Sequence, residues 1–106
     1  MQYLSLFDGV PKETIERLNA TRQRVELPGG SMLEYITFKK RGPLDTLAHE
    51  YDQIIVVYNG GFRVGPPGEE KTLRKDDSSL IRAGIQHAGY VEEDGTEILN
   101  IVLPLT

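Results

Sequence analysis

The order of apolar and polar positions predicts short β-strands along most of the chain. Residues 54–58 are all apolar or aromatic, so Gln53–Tyr58 is predicted to be a strand buried on both faces. Met32–Lys40 is also predicted to be a strand, and its apolar residues fall on both of its faces. The other predicted strands are Arg24–Leu27, Gly61–Val64, Lys71–Arg74, Ser78–Ile81, His87–Val91 and Glu97–Leu103.

Glycine and proline turns separate these strands. Asn59-Gly60-Gly61 is a strong hairpin signal, because asparagine and glycine tolerate the positive φ that tight hairpin turns require. Further reversals are predicted at Pro28-Gly29-Gly30, at Gly65-Pro66-Pro67-Gly68 and at Asp94-Gly95. Many short strands between such turns are typical of an all-β sandwich or barrel, and we treat residues 1–106 as one domain.

One helix is predicted, over Pro11–Ala20. Proline is favoured in a first helical turn, and Glu13 and Arg17 have the spacing of an i,i+4 ion pair. Ile15 and Leu18 can share one face. The segment is short and weakly amphipathic, so we expect the helix to pack on the outside of the β structure.

Composition limits the classes of function. The chain has 106 residues, of which 39% are hydrophobic and 26% charged, as in a folded soluble domain. Twelve Lys and Arg against sixteen Asp and Glu give a formal charge of -4, which argues against a nucleic-acid partner. With no cysteine, the sequence excludes disulfides, thiolate metal sites and a cysteine nucleophile.

Nothing in the sequence predicts a membrane partner. We find no signal-peptide pattern at the start and no apolar run near the roughly 18 residues of a spanning helix. The expected location is therefore cytoplasmic.

The segments around the two histidines resemble the two motifs of small single-domain cupins. The first motif is matched by Gly42, His49, Gln53 and Gly60, with the spacing His-x3-Gln-x6-Gly. The second is matched by Gly84 and His87, within the stretch KDDSSLIRAGIQHAG. The matched region, Gly42–Val91, covers about half of the chain. The resemblance implies a double-stranded β-helix, the jelly-roll barrel of cupins, here with one short N-terminal helix.

The motifs also depart from the family pattern. Leu47 stands where cupins usually carry the first metal-binding histidine, and Gln53 stands where they carry a glutamate. In the second motif the usual glycine, proline and asparagine are replaced by Asp76, Arg82 and Val91.

The resemblance implies a site at His49, Gln53 and His87 that could hold a divalent transition metal such as Zn, Ni, Fe or Mn. Two imidazoles and an amide oxygen carry no charge, so they would hold the ion less tightly than a set with a carboxylate. The alternative is a metal-free cupin, in which His49 and His87 only form hydrogen bonds inside a pocket. The sequence leaves both alternatives open.

Three further residues are candidates for the ligand pocket. Leu47 would make its wall more apolar, Tyr51 could donate a hydrogen bond at its mouth, and Arg82 could bind a carboxylate with two hydrogen bonds. The resemblance also implies a homodimer, since a small barrel leaves sheet edges uncovered.

Two classes of function follow. One is a metal-dependent isomerase, lyase or dioxygenase that acts on a small polar or carboxylated substrate. The other is a metal-free module that binds or senses a small molecule without catalysis. The lost histidine and carboxylate favour the second class, and the two retained histidines favour the first.

Overall fold

The computed structural model describes residues 6–104, which fold into two antiparallel β-sheets packed face to face. The strands are β1 (Glu13–Ile15), β2 (Ala20–Glu26), β3 (Met32–Phe38), β4 (Gly42–Leu47), β5 (Tyr51–Asn59), β6 (Gly61–Gly65), β7 (Lys71–Arg74), β8 (Ser78–Ile81), β9 (His87–Val91) and β10 (Glu97–Pro104). Six form a sheet in the order β1-β2-β3-β10-β5-β8, and four form a sheet in the order β4-β9-β6-β7. The predicted all-β jelly-roll class is confirmed.

The predicted helix over Pro11–Ala20 is wrong. Glu13–Ile15 is a strand that pairs with the start of β2, with Ile15 opposite Ala20. A single 3₁₀ turn, Glu16–Leu18, connects them and ends at Asn19, whose φ of 50° reverses the chain. A ten-residue helix with a weak apolar face is marginal by itself, and strand pairing satisfies more of the same backbone groups.

Most predicted strands occur within two residues of their predicted ends, but β2 begins four residues earlier and β4 was missed. β4 contains Gly42 and Pro43 and lies at the edge of the four-stranded sheet, where its side chains are mostly exposed. Proline is tolerated on an edge strand, and a mostly exposed strand needs few apolar residues. The sequence signal for such a strand is therefore weak.

One end of the space between the sheets is closed by close packing. Phe38 on β3 and Phe62 on β6 stack with ring centroids 5.7 Å apart, and Val57 and Val91 are fully buried beside them. Gly60 forms the turn between β5 and β6 with a φ of +84°, and a Cβ there would lie 3.0 Å from the backbone of Thr96. This packing closes the barrel at the end opposite the histidines.

The strand register determines which side chains meet inside the barrel. Glu34 on β3 lies opposite Arg24 on β2 and opposite Asn100 on β10. On β5, Gln53, Ile55 and Val57 alternate with outward residues and are buried. The six-stranded sheet thus turns a row of polar residues toward the interior. Within residues 6–104, no helix is long and apolar enough to cross a membrane.

Candidate functional site

A cavity of about 230 Å³ lies between the two sheets and extends from the two histidines to the stacked Phe38 and Phe62, which also line it. Ligand pockets for drug-sized molecules usually measure about 300–1,000 Å³, so this cavity fits a smaller molecule. Among the residues that line it are His49, Gln53, His87, Leu47 and Tyr51.

The two histidines lie side by side at the open end. Their ring centroids are 5.1 Å apart with the planes tilted by 49°. His87 is the first residue of β9, and His49 lies in the connection between β4 and β5. The N–H of Gly84 donates a hydrogen bond of 2.8 Å to the His49 carbonyl, which ties the two connections together.

The other residues predicted for the cavity are placed by strand pairing or stacking. Leu47 ends β4 directly opposite His87 and is 41% exposed, so it forms part of the rim. Gln53 is buried on β5, and Tyr51 at the start of the same strand stacks on His49 with centroids 4.6 Å apart. All of them line the same cavity, while their roles in binding remain predictions.

Arg82 lies elsewhere. It is not among the residues that line the cavity, its side chain is 71% exposed, and its Nε is 3.5 Å from a carboxylate oxygen of Asp52. The same oxygen of Asp52 accepts a 2.8 Å hydrogen bond from the N–H of Ala83. Arg82 and Asp52 therefore hold the β8–β9 connection against the start of β5, outside the cavity.

The sequence reasoning missed a charged cluster on the six-stranded sheet. Buried Glu34 accepts hydrogen bonds from Arg22 (3.2 Å) and from two nitrogens of Arg24 (2.8 and 3.0 Å). Its other oxygen accepts a 2.9 Å bond from Asn100. The sequence did carry one signal for this cluster. Arg22 and Arg24 are two positions apart, and residues two positions apart in a strand point to the same face of the sheet.

We call Arg22, Arg24, Glu34, Gln53 and Asn100 the polar wall of the cavity, because all five line it from the six-stranded sheet. Three of its atoms are buried and have no hydrogen-bond partner among the described residues: Nε of Arg22, Oε1 of Gln53 and Oδ1 of Asn100. Most buried polar atoms in proteins have a protein or water partner, so three atoms without a protein partner make this wall unlike a packed core.

Opposite lies what we call the apolar wall, which is formed by Leu44, Phe62, Val64 and Gly89 of the four-stranded sheet. Gly89 keeps this wall open. A Cβ at that position would lie 3.3 Å from Cδ1 of Leu44 and 3.4 Å from Cζ of Phe62. The four-stranded sheet also contributes His87 and the exposed Asp45 to the lining, whereas the buried charged and amide side chains of the lining all come from the six-stranded sheet.

Burial shifts the pKa of two residues at the open end. It lowers the pKa of His49 below its usual 6.5, and the neighbouring His87 lowers it further. It raises the pKa of Tyr51, an effect that the charge of Glu34 strengthens and Arg24 opposes. At neutral pH His49 is therefore an uncharged imidazole and Tyr51 an uncharged phenol.

The donor set fits a metal ion only in part. In a tetrahedral site with Zn–N bonds of about 2.1 Å, two imidazole centroids lie roughly 5 Å apart, close to the observed 5.1 Å. Nδ1 of His87 is 3.3 Å from the Ile85 carbonyl oxygen, which favours a proton on Nδ1 and leaves Nε2 as the acceptor. Gln53 is the neutral third donor, and within residues 6–104 no three His, Cys, Asp or Glu side chains are grouped to hold a metal.

The comparisons with known proteins bear on the fold. No protein-family model matches the sequence, and no curated protein matches it. Among solved structures, KdgF from Halomonas sp. superposes with a TM-score of 0.82 at 21% identity, over 98% of this chain and 96% of that one. An RmlC-like cupin from Shewanella frigidimarina gives 0.82 at 23% identity, over 99% and 93%.

A cupin superfamily protein from Desulfitobacterium hafniense gives a TM-score of 0.73 at 13% identity, over 81% of this chain and 78% of that one. At these identities the likeness concerns architecture, and it agrees with the two antiparallel sheets and the cavity between them. The chain is a small cupin-fold protein.

Proposed function

We propose that this protein binds one small polar molecule in the cavity between its sheets, with His49, Gln53 and His87 among the contacts. The observation that carries the proposal is Gln53, whose Oε1 is buried in the cavity wall without a partner. A buried acceptor of this kind destabilises the fold by about 1–3 kcal/mol unless something donates to it. A ligand that donates to Gln53 removes this penalty, so it binds and stabilises at once.

Thermal unfolding in the presence of a library of small polar metabolites tests this proposal. We expect at least one compound to raise the melting temperature of the wild type and to have a much smaller effect on His87→Ala. Arg63→Ala is the matched control, because Arg63 stacks over Tyr90 on the outer face of the four-stranded sheet. Compounds that stabilise His87→Ala as much as the wild type would place binding outside the cavity.

A metal-dependent enzyme is the second candidate, favoured by the spacing of the two imidazoles. His49, Gln53 and His87 would hold the ion, and a bound divalent metal would polarise a substrate oxygen in an isomerase, lyase or dioxygenase reaction. The neutral donor set predicts weak binding that weakens further in acid, because an imidazole must be unprotonated to bind a metal.

Metal content after purification without chelators or a metal-affinity column tests the second candidate, followed by titration with Ni²⁺ and Zn²⁺. His87→Ala should abolish uptake, and Gln53→Glu should strengthen it because it adds a charged ligand. Uptake that is unchanged in His87→Ala would contradict a site at these residues.

A homodimer stays a prediction, and the outer face of the six-stranded sheet supports it. On that face Leu80, Tyr58 and Leu103 are 55%, 42% and 37% exposed. Exposed apolar patches on a sheet are common at subunit interfaces. Sedimentation at micromolar concentration should give the mass of two chains, and a monomer would contradict the prediction.

A further inference from the structure

The unpartnered atoms of the polar wall are of two kinds. Nε of Arg22 is a donor that lacks an acceptor, whereas Oε1 of Gln53 and Oδ1 of Asn100 are acceptors that lack a donor. The orientation of Asn100 is fixed, because its amide nitrogen donates to Glu34 at 2.9 Å and its oxygen must then face another group. A ligand that pairs with atoms of both kinds must both accept and donate hydrogen bonds within a few ångströms.

We propose that the ligand is a small hydroxy acid: a carboxylate with a neighbouring hydroxyl group and a compact aliphatic side chain. The carboxylate accepts from Nε of Arg22, the hydroxyl donates its single proton to Oε1 of Gln53, and the aliphatic part contacts the apolar wall. This inference rests on the proposed function, since it names the chemistry of the molecule that the cavity binds.

The charges of the polar wall favour an anion. Arg22 and Arg24 bring two positive charges, and Glu34 is the one carboxylate buried with them. Arg22 also contacts Glu13 at 3.3 Å, but that carboxylate is 56% exposed and is screened by solvent. Asp45, which also lines the cavity, is exposed as well. Two partly buried guanidiniums therefore face one buried carboxylate, which leaves a positive charge, and a guanidinium matches the geometry of a carboxylate.

The same cluster favours a hydroxyl over an ammonium as the donating group. The natural partner of a buried ammonium would be Glu34, whose two oxygens already accept bonds from Arg22, Arg24 and Asn100. The remaining acceptors are neutral amides, which suit a neutral hydroxyl. An amino acid shares the carboxylate and the donor, so it is a separate arm of the test.

The apolar wall supplies the third requirement. Leu44, Phe62 and Val64 present only carbon to the cavity, and Gly89 adds no side chain between them. If a ligand carried hydroxyl groups on every side, those facing the apolar wall would be buried without hydrogen-bond partners, which would weaken its binding. A branched aliphatic group of a few carbons fills this side of a 230 Å³ cavity.

The test uses α-hydroxyisocaproate and four compounds that each alter one feature, measured by isothermal titration calorimetry. Isocaproate lacks the hydroxyl, the vicinal diol of the same carbon skeleton lacks the carboxylate, lactate lacks the branched group, and leucine replaces the hydroxyl with an ammonium. We expect α-hydroxyisocaproate to bind at least ten-fold more tightly than each of the others. If the diol binds as tightly as α-hydroxyisocaproate, the cavity has no subsite for a carboxylate. If leucine binds more tightly, the donating group of the ligand is an ammonium and not a hydroxyl.

Two variants locate the contacts. Arg22→Gln should weaken binding of α-hydroxyisocaproate at least ten-fold, while the control Arg63→Gln should leave it unchanged. Gln53→Leu should bring the affinities for α-hydroxyisocaproate and isocaproate together. The side chain of Gln53 makes no hydrogen bond to the described residues and its backbone pairing is unaffected by the substitution, so this variant stays folded even if Arg22→Gln does not.

The two proposals can fail separately. If no probe binds at millimolar concentration, the hydroxy-acid inference is wrong, while a metabolite whose stabilising effect depends on His87 would still support the proposed function. If α-hydroxyisocaproate binds equally well to wild type and to the Arg22 and Gln53 variants, the contacts assigned here are wrong.

Discussion

The two walls of the cavity face each other and have opposite character. The apolar wall continues into the packed core, since Phe62 belongs to it and also stacks on Phe38 at the closed end. The polar wall holds a buried ion cluster and three atoms without partners. Burial of apolar side chains stabilises a fold. A buried ion pair adds little net stability, because desolvation of the charges offsets their attraction, and a buried polar atom without a partner lowers stability. From this contrast we infer that the apolar wall stabilises the protein, and we propose that the polar wall recognises a ligand.

Phe62→Ala should have the largest effect on stability. The side chain is almost fully buried, and its removal leaves a cavity beside Phe38, so the free energy of unfolding should fall by about 3–5 kcal/mol. Chemical denaturation measures the loss. Leu47→Ala on the exposed rim is the control and should change it by about 0.5 kcal/mol or less. Equal losses in the two variants would contradict the division into a stabilising wall and a rim.

Gln53→Leu should act in the opposite direction. Replacing an unpartnered buried amide with an apolar side chain of similar size should raise the free energy of unfolding by about 1 kcal/mol in the absence of ligand. The same denaturation experiment detects it. A loss of stability would mean that the amide is already satisfied by ordered water.

Gly89→Ala should change specificity with little change in stability. The added methyl group meets Leu44 and Phe62 at 3.3 and 3.4 Å, so it narrows the cavity on its apolar side. We expect stability within about 1 kcal/mol of the wild type, because the gain in strand preference offsets the tighter packing. Binding of α-hydroxyisocaproate should weaken, and that of lactate should not. Equal weakening of both would show that this wall does not contact the aliphatic group.

The smallest effect concerns the protonation of His49. Its pKa in the folded protein is lowered by burial and by His87, so the unfolded chain binds more protons as the pH falls below 6.5. The contribution of His49 to stability is therefore present above pH 6.5 and is lost as the solution becomes more acidic. Proton NMR titration should give a pKa below 6.5 that rises in His87→Gln. A value unaffected by that substitution would contradict the coupling of the two rings.

The sequence predicted the histidine end of the cavity better than the polar wall. His49, Gln53 and His87 could be identified because their spacing follows a motif that enters two strands, and the structure brings them to one cavity. Arg22 fell between the predicted helix Pro11–Ala20 and the predicted strand Arg24–Leu27, so the face that it shares with Arg24 on β2 could not be seen. Glu34 gave no signal of burial, because its partners lie on other strands and only the register of β2, β3 and β10 reveals them.

Among the strands, too, the sequence predicted some better than others, and buried strands better than edge strands. Buried strands such as β5 carry continuous apolar runs that sequence reasoning detects, and β5 was predicted from Gln53 to Tyr58 against an observed Tyr51–Asn59. Edge elements lack that signal. β1 and β4 are held mainly by pairing with a neighbouring strand, and pairing depends on residues distant in the sequence.

The most direct test of the ligand-binding account is an NMR titration that follows the side-chain N–H signals of the polar wall as α-hydroxyisocaproate is added. The account predicts saturable shifts of the Arg22 Nε–H and of the Gln53 and Asn100 amide groups, together with the His87 ring, and none at Arg63. Shifts confined to Arg63 and the outer face, or shifts that never saturate, would contradict it.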